Sequence, residues 1–304
     1  PSISDKLHGF AEHHQLTTRL HHKEDVTFQL ECVTSLTPLD MMHLSQGAHD
    51  ATGSSVWMGA FNLIEALASN VTYKNPSGNE ADLPIGCVFR SKQVLELGCG
   101  TGVGGLSLLL APKSSDAQPS HICFTDNDDA VLDLCRRNCE KNGLLSETSC
   151  DARCSFAHLD WGTVQDSTLF DTVLATDVLY DLACLGPLLS TVAQSLQPSG
   201  SFVLAHVPRS CLPDSLSATA NGDCDYHASL EAYIVQTAGE HGLKTIAIIR
   251  PGEIRSAQGG GDASPLNETS LSEMEDAGAA ILLFKKEQLN EQQGILARIL
   301  PDET

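Results

Sequence analysis

The chain is expected to adopt an α/β fold: a doubly wound, seven-stranded, mostly parallel sheet with helices on both faces, preceded by an N-terminal strand and helix. Three observations predict it. From residue 92 onward, short apolar runs alternate with helical patterns, as βαβ units require. The stretch Val94–Gly105, V-L-E-L-G-C-G-T-G-V-G-G, reads as a buried strand end, a glycine-rich turn and the start of an apolar helix. A length of 304 residues with 41% hydrophobic content suits one large domain, or one domain with extensions.

Residues 1–25 are polar, with His13-His14 and His21-His22, and are expected to form a solvated arm or short helix. Val26–Val33 alternates apolar and polar residues, as a strand with one buried face does. Thr52-Gly-Ser-Ser then leads into Trp57 and a helical pattern over Phe61–Leu67, which Ser54 or Ser55 could cap. Asn70–Pro84 is rich in Asn, Pro and Gly and reads as a loop.

In the core, strands are expected over Lys92–Leu97, His121–Thr125, Ala152–Leu159, Phe170–Thr176, Ser201–Val207, Leu243–Arg250 and Ala279–Lys285. Helices are expected over Val103–Leu110, over Asp129–Asn142 with Gly143 ending it, over Leu182–Leu196 with Pro198-Ser-Gly200 stopping it, and over Tyr226–His241. Asp128 and Asp129 read as a helix cap and a first-turn acid. Residues 208–225 read as a loop, and Arg255–Gly278, with Gly259-Gly-Gly261, as a flexible excursion carrying the glycosylation pattern Asn267-Glu-Thr269. Glu287–Leu300 would be a short terminal helix. This gives an extension over 1–70, a core over 85–286 with the excursion at 251–278, and a tail over 287–304.

The formal net charge of −21 argues against a nucleic-acid phosphate backbone as partner and suits a locally basic protein surface. No apolar run reaches the roughly 18 residues of a membrane span. No signal peptide stands at the start; the chain opens on Pro1 rather than Met, which leaves a preceding segment open. The 11 cysteines are odd in number and form no C-x-x-C pair, so free thiols in a reducing cytoplasm or nucleus are expected rather than a disulfide framework or a metal site. Cys135-x-x-x-Cys139 would nevertheless share a helix face, with Cys150-x-x-x-Cys154 nearby. A monomer is expected.

The glycine turn poses the question of which nucleotide it serves. Gly100-x-Gly102-x-x-Gly105 satisfies the dinucleotide pattern, but its register is late, because the strand ends at Leu97 and the turn starts at Gly98. Glu96-x-Gly98-x-Gly100-x-Gly102 is instead acid-x-Gly-x-Gly-x-Gly at a strand end, which resembles the first motif of the S-adenosylmethionine (SAM) methyltransferases with a Rossmann-like fold. Each part of SAM needs its own partner. Gly98, Cys99 and Gly100 with Glu96 could hold the methionine amino and carboxylate groups. Asp126, with Asn127 beside it, ends the second strand where a carboxylate can accept the ribose hydroxyls. Asp160 and Trp161 offer an acceptor and an aromatic face to adenine. Asp177 and Tyr180 follow the fourth strand, at the carboxyl end where open sheets bind ligands. Methyl transfer is an in-line displacement, so the protein mainly positions the nucleophile and strips its water. Asp177 is assigned to orienting an amine and to accepting its proton late, and Tyr180 to lining the channel.

Trp57-Met-Gly-Ala60, Leu95-Glu-Leu-Gly-Cys-Gly-Thr-Gly102, Leu159-Asp-Trp161 and Asp177-x-x-Tyr180, in this order, resemble methyltransferase family 16, a seven-strand group rich in protein-lysine methyltransferases. The resemblance covers about residues 26–286. It implies that Trp57, Gly98 to Gly100, Asp126, Trp161 and Thr176 touch SAM, that Asp177 and Tyr180 form the substrate-side motif, and that the acceptor is a protein lysine. The loops 208–225 and 251–278 look longer than the family's usual connections. Three rivals stand beside this reading: a small-molecule or protein-histidine methyltransferase on the same scaffold, an NAD(P) oxidoreductase, and a non-catalytic SAM-binding module.

Overall fold

The computed structural model describes residues 12–20, 24–32, 51–75, 81–111, 117–145, 153–163, 168–208, 226–258 and 271–287. The strands are β1 (Glu12–Leu20), β2 (Glu24–Cys32), β3 (Thr72–Tyr73), β4 (Leu83–Pro84), β5 (Gln93–Leu97), β6 (His121–Asp126), β7 (Cys154–His158), β8 (Phe170–Thr176), β9 (Leu196–His206), β10 (Leu243–Ile249) and β11 (Ala280–Lys286). The helices are α1 (Met58–Ala68), α2 (Val103–Leu110), α3 (Asp129–Lys141), α4 (Leu185–Ser195), α5 (Tyr226–Glu240), α6 (Pro251–Ala257) and α7 (Leu271–Asp276).

Seven strands form the central sheet in the order β10-β11-β9-β8-β5-β6-β7. The neighbouring pairs among β9, β8, β5, β6 and β7 are parallel, and β11 runs antiparallel to both β9 and β10. The chain runs outward from β5 through β6 to β7, then returns to β8 on the other side of β5. The carboxyl ends of β5 and β8 therefore flank the point where strand order reverses, which is where open α/β sheets leave a crevice.

Alternation along the strands supplies both faces. On β8, Val173 and Ala175 join the core with Leu188, Leu189 and Val192 of α4 and Leu230 and Ile234 of α5, while Leu174 joins the opposite core with α1, α2 and α3. Helix α3 is set by its ends: Asp128 caps it by accepting the Ala130 N–H at 2.8 Å, and Gly143 follows it at φ +71°.

Five expectations need correction. The N-terminal arm contains a strand: β1 pairs antiparallel with β2 along its whole length, so the alternation at Val26–Val33 belongs to a hairpin. Neither Ser54 nor Ser55 caps α1; Trp57 occupies that position, and its side chain makes no cap hydrogen bond. The segment read as one loop over Asn70–Pro84 includes the short β3–β4 pair. Pro198-Ser199-Gly200 does not separate helix from strand. It lies inside β9, where Ser199 adopts φ +63° and the pairing with β8 jumps from Phe170↔Leu196 to Thr172↔Ser201, as in a bulge. The excursion 251–278 contains α6 and α7, whose Ile254, Leu271 and Met274 are fully buried. Arg255 ties them through Glu275 at 2.7 Å. Residues 209–225, the excursion tip 259–270 with the Asn267 pattern, and the expected terminal helix beyond Glu287 lie outside the described residues.

Among the described residues no helix is long and apolar enough to cross a membrane, and no three His, Cys, Asp or Glu side chains are grouped to hold a metal ion. Cys135 and Cys139 do share a face of α3, buried as free thiols, with Cys139 hydrogen-bonded to both Cys135 and Cys154.

Candidate functional site

Gly98, Gly100 and Gly102 lie in the left-handed region, at φ +61°, +55° and +83°. This alternate-residue register is the one that Glu96-x-Gly-x-Gly-x-Gly predicts. Side chains are excluded as well as strained. A Cβ on Gly98 would stand 2.8 Å from Val178 Cγ1 and 3.2 Å from the Trp161 ring, and one on Gly100 would stand 3.0 Å from the Gly53 carbonyl. The turn is held from outside. Cys99 N–H donates to the Thr125 carbonyl at 2.9 Å, and Gly100 N–H donates to Asp126 Oδ2 at 3.1 Å.

The turn forms one wall of a cavity of about 430 Å³, within the range of small-molecule sites. Gly98, Cys99, Gly100, Asp126, Asn127, Asp160, Trp161, Thr176, Asp177, Tyr180 and Trp57 all line it. Sequence positions from five separate stretches thus converge on the carboxyl ends of β5, β6, β7 and β8.

Glu96 is the exception. It is fully buried and does not line the cavity. Its Oε2 accepts the Gly105 N–H at 3.1 Å inside the first turn of α2, where a Cβ on Gly104 would stand 2.6 Å from its other oxygen. Burial pushes its carboxyl well above the ordinary range, with the Gly105 N–H opposing. The expected contact with the methionine group of SAM is therefore corrected: Glu96 supports the turn from beneath.

Asp126 is half-buried and also accepts the Asp128 N–H at 3.2 Å. Burial raises its pKa, against the Gly100 and Asp128 N–H groups. Leu159 N–H donates to the Asp126 carbonyl at 3.0 Å, fixing the β7 end that carries Asp160 and Trp161. His158 stands between Asp129, at 3.0 Å, and Asp160, at 3.5 Å. The Cys99 thiol is pushed up to about 12 by burial, which leaves it unreactive at neutral pH.

Asp177 sits at φ +56°, a conformation Asp tolerates better than most residues. Its N–H donates to the Ala205 carbonyl at 2.8 Å, Oδ1 accepts the Val207 N–H at 2.8 Å, and Oδ2 accepts the Gly59 N–H at 2.5 Å. It caps α1, which precedes it by more than 100 residues in the chain, rather than the helix that follows; Asp181 caps that end by accepting the Ala183 N–H at 2.9 Å. Gly59 is required there because a Cβ would stand 2.7 Å from the Asp177 carboxyl carbon. Trp57 is 37% exposed and Tyr180 51% exposed, so two aromatic rings edge the opening. The Trp57 indole N–H donates to the Thr52 carbonyl at 2.9 Å, which fixes its plane.

Sequence reading missed two groups that line the cavity: Thr52, Gly53, Ser55 and Val56 on one side, and Ala183, Cys184 and Pro187 on the other. The small-residue run before Trp57 was a usable signal for the first group. The second has none, because its placement depends on how α4 enters the sheet.

Residues 37–216, more than half of the chain, match the family described as lysine methyltransferase. The chain belongs to that family. Among its relatives, protein-lysine N-methyltransferase EEF2KMT of Homo sapiens is 32% identical over 142 residues, 44% of this chain and 37% of that one. The Bos taurus protein of the same name is 31% identical over 152 residues, 44% of this chain and 39% of that one. The match thus spans less than two-fifths of either relative. A TehB-like SAM-dependent methyltransferase of Corynebacterium glutamicum, solved as a crystal structure, is 15% identical, with a TM-score of 0.41 over 83% of this chain and 100% of that one; no chemistry follows from a likeness at that level. Family membership and the alternate-glycine register of the turn remove the support for a dinucleotide oxidoreductase.

Proposed function

We propose that the chain transfers a methyl group from SAM to the side-chain amine of a lysine on a protein substrate. One observation carries this reading: the glycine turn and Asp126 open onto the same cavity as Asp177 and Tyr180, so cofactor-side and acceptor-side residues share one space.

The residues fit SAM. The left-handed glycines bring bare backbone to the cavity wall, and Asp126 offers a fixed carboxylate to a ribose diol. Trp161 lies against Gly98 as an aromatic face for adenine, with Asp160 next to it as acceptor. Bound SAM supplies a methyl carbon activated by a sulfonium. The chain's own residues bring the amine into line with that carbon and exclude water from it. Trp57 and Tyr180 at the opening give the lysine stem apolar surface, which favours the neutral, nucleophilic amine by desolvation. Asp177 is pinned by two N–H groups, so it presents a carboxylate of fixed position that orients the amine. Asp160, exposed on the cavity lining, suits a substrate that is basic near its target lysine.

The test is transfer from tritium-labelled SAM into protein, followed by digestion and mass spectrometry of the labelled peptide. Label on lysine supports the proposal. Label on histidine, or only in small molecules, overturns it.

A further inference from the structure

We propose that Asn138 is a positioning residue that couples the N-terminal hairpin to the glycine turn, so that docking of the hairpin raises affinity for the cofactor. The inference rests on the cavity being the SAM site.

Asn138 and Asn142 lie four residues apart on α3 and so face the same way, about 6 Å apart along the axis. Gln29 and Glu31 lie two residues apart on β2, about 6.6 Å along the strand. The two spacings match, and each asparagine pairs with one strand residue. Glu31 N–H donates to Asn138 Oδ1 at 2.7 Å, and Asn138 Nδ2 donates to the Glu31 carbonyl at 3.0 Å. Gln29 N–H donates to Asn142 Oδ1 at 2.9 Å, and Asn142 Nδ2 donates to the Gln29 carbonyl at 2.7 Å. Two side chains thereby act as the missing neighbour strand along the β2 edge that faces away from β1. The Glu31 carboxylate adds ion pairs with Arg137 and Lys141, both at 2.9 Å.

The two asparagines differ in one bond. The second Nδ2 hydrogen of Asn142 turns back into its own helix, to the Asn138 carbonyl at 2.7 Å. That of Asn138 reaches the Thr101 carbonyl at 2.9 Å. Thr101 sits between Gly100 and Gly102 and lines the cavity. Asn138 is fully buried, and its planar amide fixes the angle between the Glu31 and Thr101 bonds. The hairpin and the turn are thus held by one rigid group. A ligand that orders the turn must favour the docked hairpin, and the docked hairpin must favour the ligand to the same degree.

The test is calorimetric titration of S-adenosylhomocysteine into wild type, Asn138→Ala and Asn142→Ala, each with its melting temperature. Both variants lose hairpin bonds, so both melt lower. Asn138→Ala is expected to weaken binding about tenfold and Asn142→Ala less than twofold. Equal weakening in both, or none in Asn138→Ala, overturns the coupling. Should Asn138→Ala not fold, hydrogen exchange of the wild type decides: bound S-adenosylhomocysteine is expected to slow exchange of the Glu31 amide, and an unchanged rate overturns the coupling. A folded wild type that does not bind S-adenosylhomocysteine removes the cofactor reading itself, and this inference with it. Binding by wild type with no difference between the variants removes only this inference.

Discussion

Asp177 caps helix α1 through the Gly59 N–H, at 2.5 Å and 118 residues away in sequence. With the Val207 N–H on its other oxygen, one carboxylate ties the start of α1, the end of β8 and the end of β9 into a single corner of the cavity. A residue read as acting on the substrate is therefore also a structural clamp, and the two roles need separate measurements.

Asp177→Asn separates them. Asparagine tolerates the same left-handed backbone, but only its oxygen can accept, so one of the two N–H groups loses its partner. Chemical denaturation is expected to show a loss of about 1–3 kcal/mol, and methyl transfer is expected to fall further than the unfolded fraction explains. A stability loss with full activity in the folded fraction would leave Asp177 as a clamp alone.

Glu96→Gln tests the corrected place of that side chain. Burial raises the carboxyl above its ordinary value of 4.5, so the native state keeps a proton that the unfolded chain has released. Stability of the wild type must then fall as pH rises from the ordinary value through the raised one, and level off above it. Glutamine cannot ionise. The variant is expected to match wild type near pH 4 and to exceed it near pH 8 by about 1 kcal/mol or more, with cofactor binding retained. Loss of binding without a change in stability would return Glu96 to the ligand.

These two acids mark the limit of what the chain discloses on its own. The core strands and α2 and α3 were legible because apolar periodicity and the end signals Asp128 and Gly143 are local. The glycine register was legible because three left-handed residues in alternation strongly favour glycine at each position. Glu96 is not placed by sequence alone, because the two-residue alternation of β5 sets it on one face and sequence does not say which face holds the ligand. Asp177 was half-read, because its partner Gly59 lies on an element far earlier in the chain. Strand β1 and the helices α6 and α7 are hidden by polar composition; in the two helices only packing reveals the buried contacts of Ile254, Leu271 and Met274.

Tyr180→Ala and Trp161→Ala are expected to fail differently. Tyr180 is exposed at the opening, so its loss should leave stability within about 0.5 kcal/mol and cofactor binding intact while lowering turnover. Trp161 packs against Gly98, so its loss should weaken S-adenosylhomocysteine by about tenfold or more, or roughly 1.4 kcal/mol. Calorimetry with single-turnover transfer distinguishes the two; the reverse assignment would exchange the cofactor and acceptor ends of the cavity.

The most direct test of the account is calorimetric titration of SAM and S-adenosylhomocysteine into wild type and Asp126→Ala. Wild type is expected to bind in the micromolar range and the variant not at all, because Asp126 both faces the cavity and anchors Gly100. A folded wild type that binds neither compound, or a variant that binds as wild type does, would contradict it.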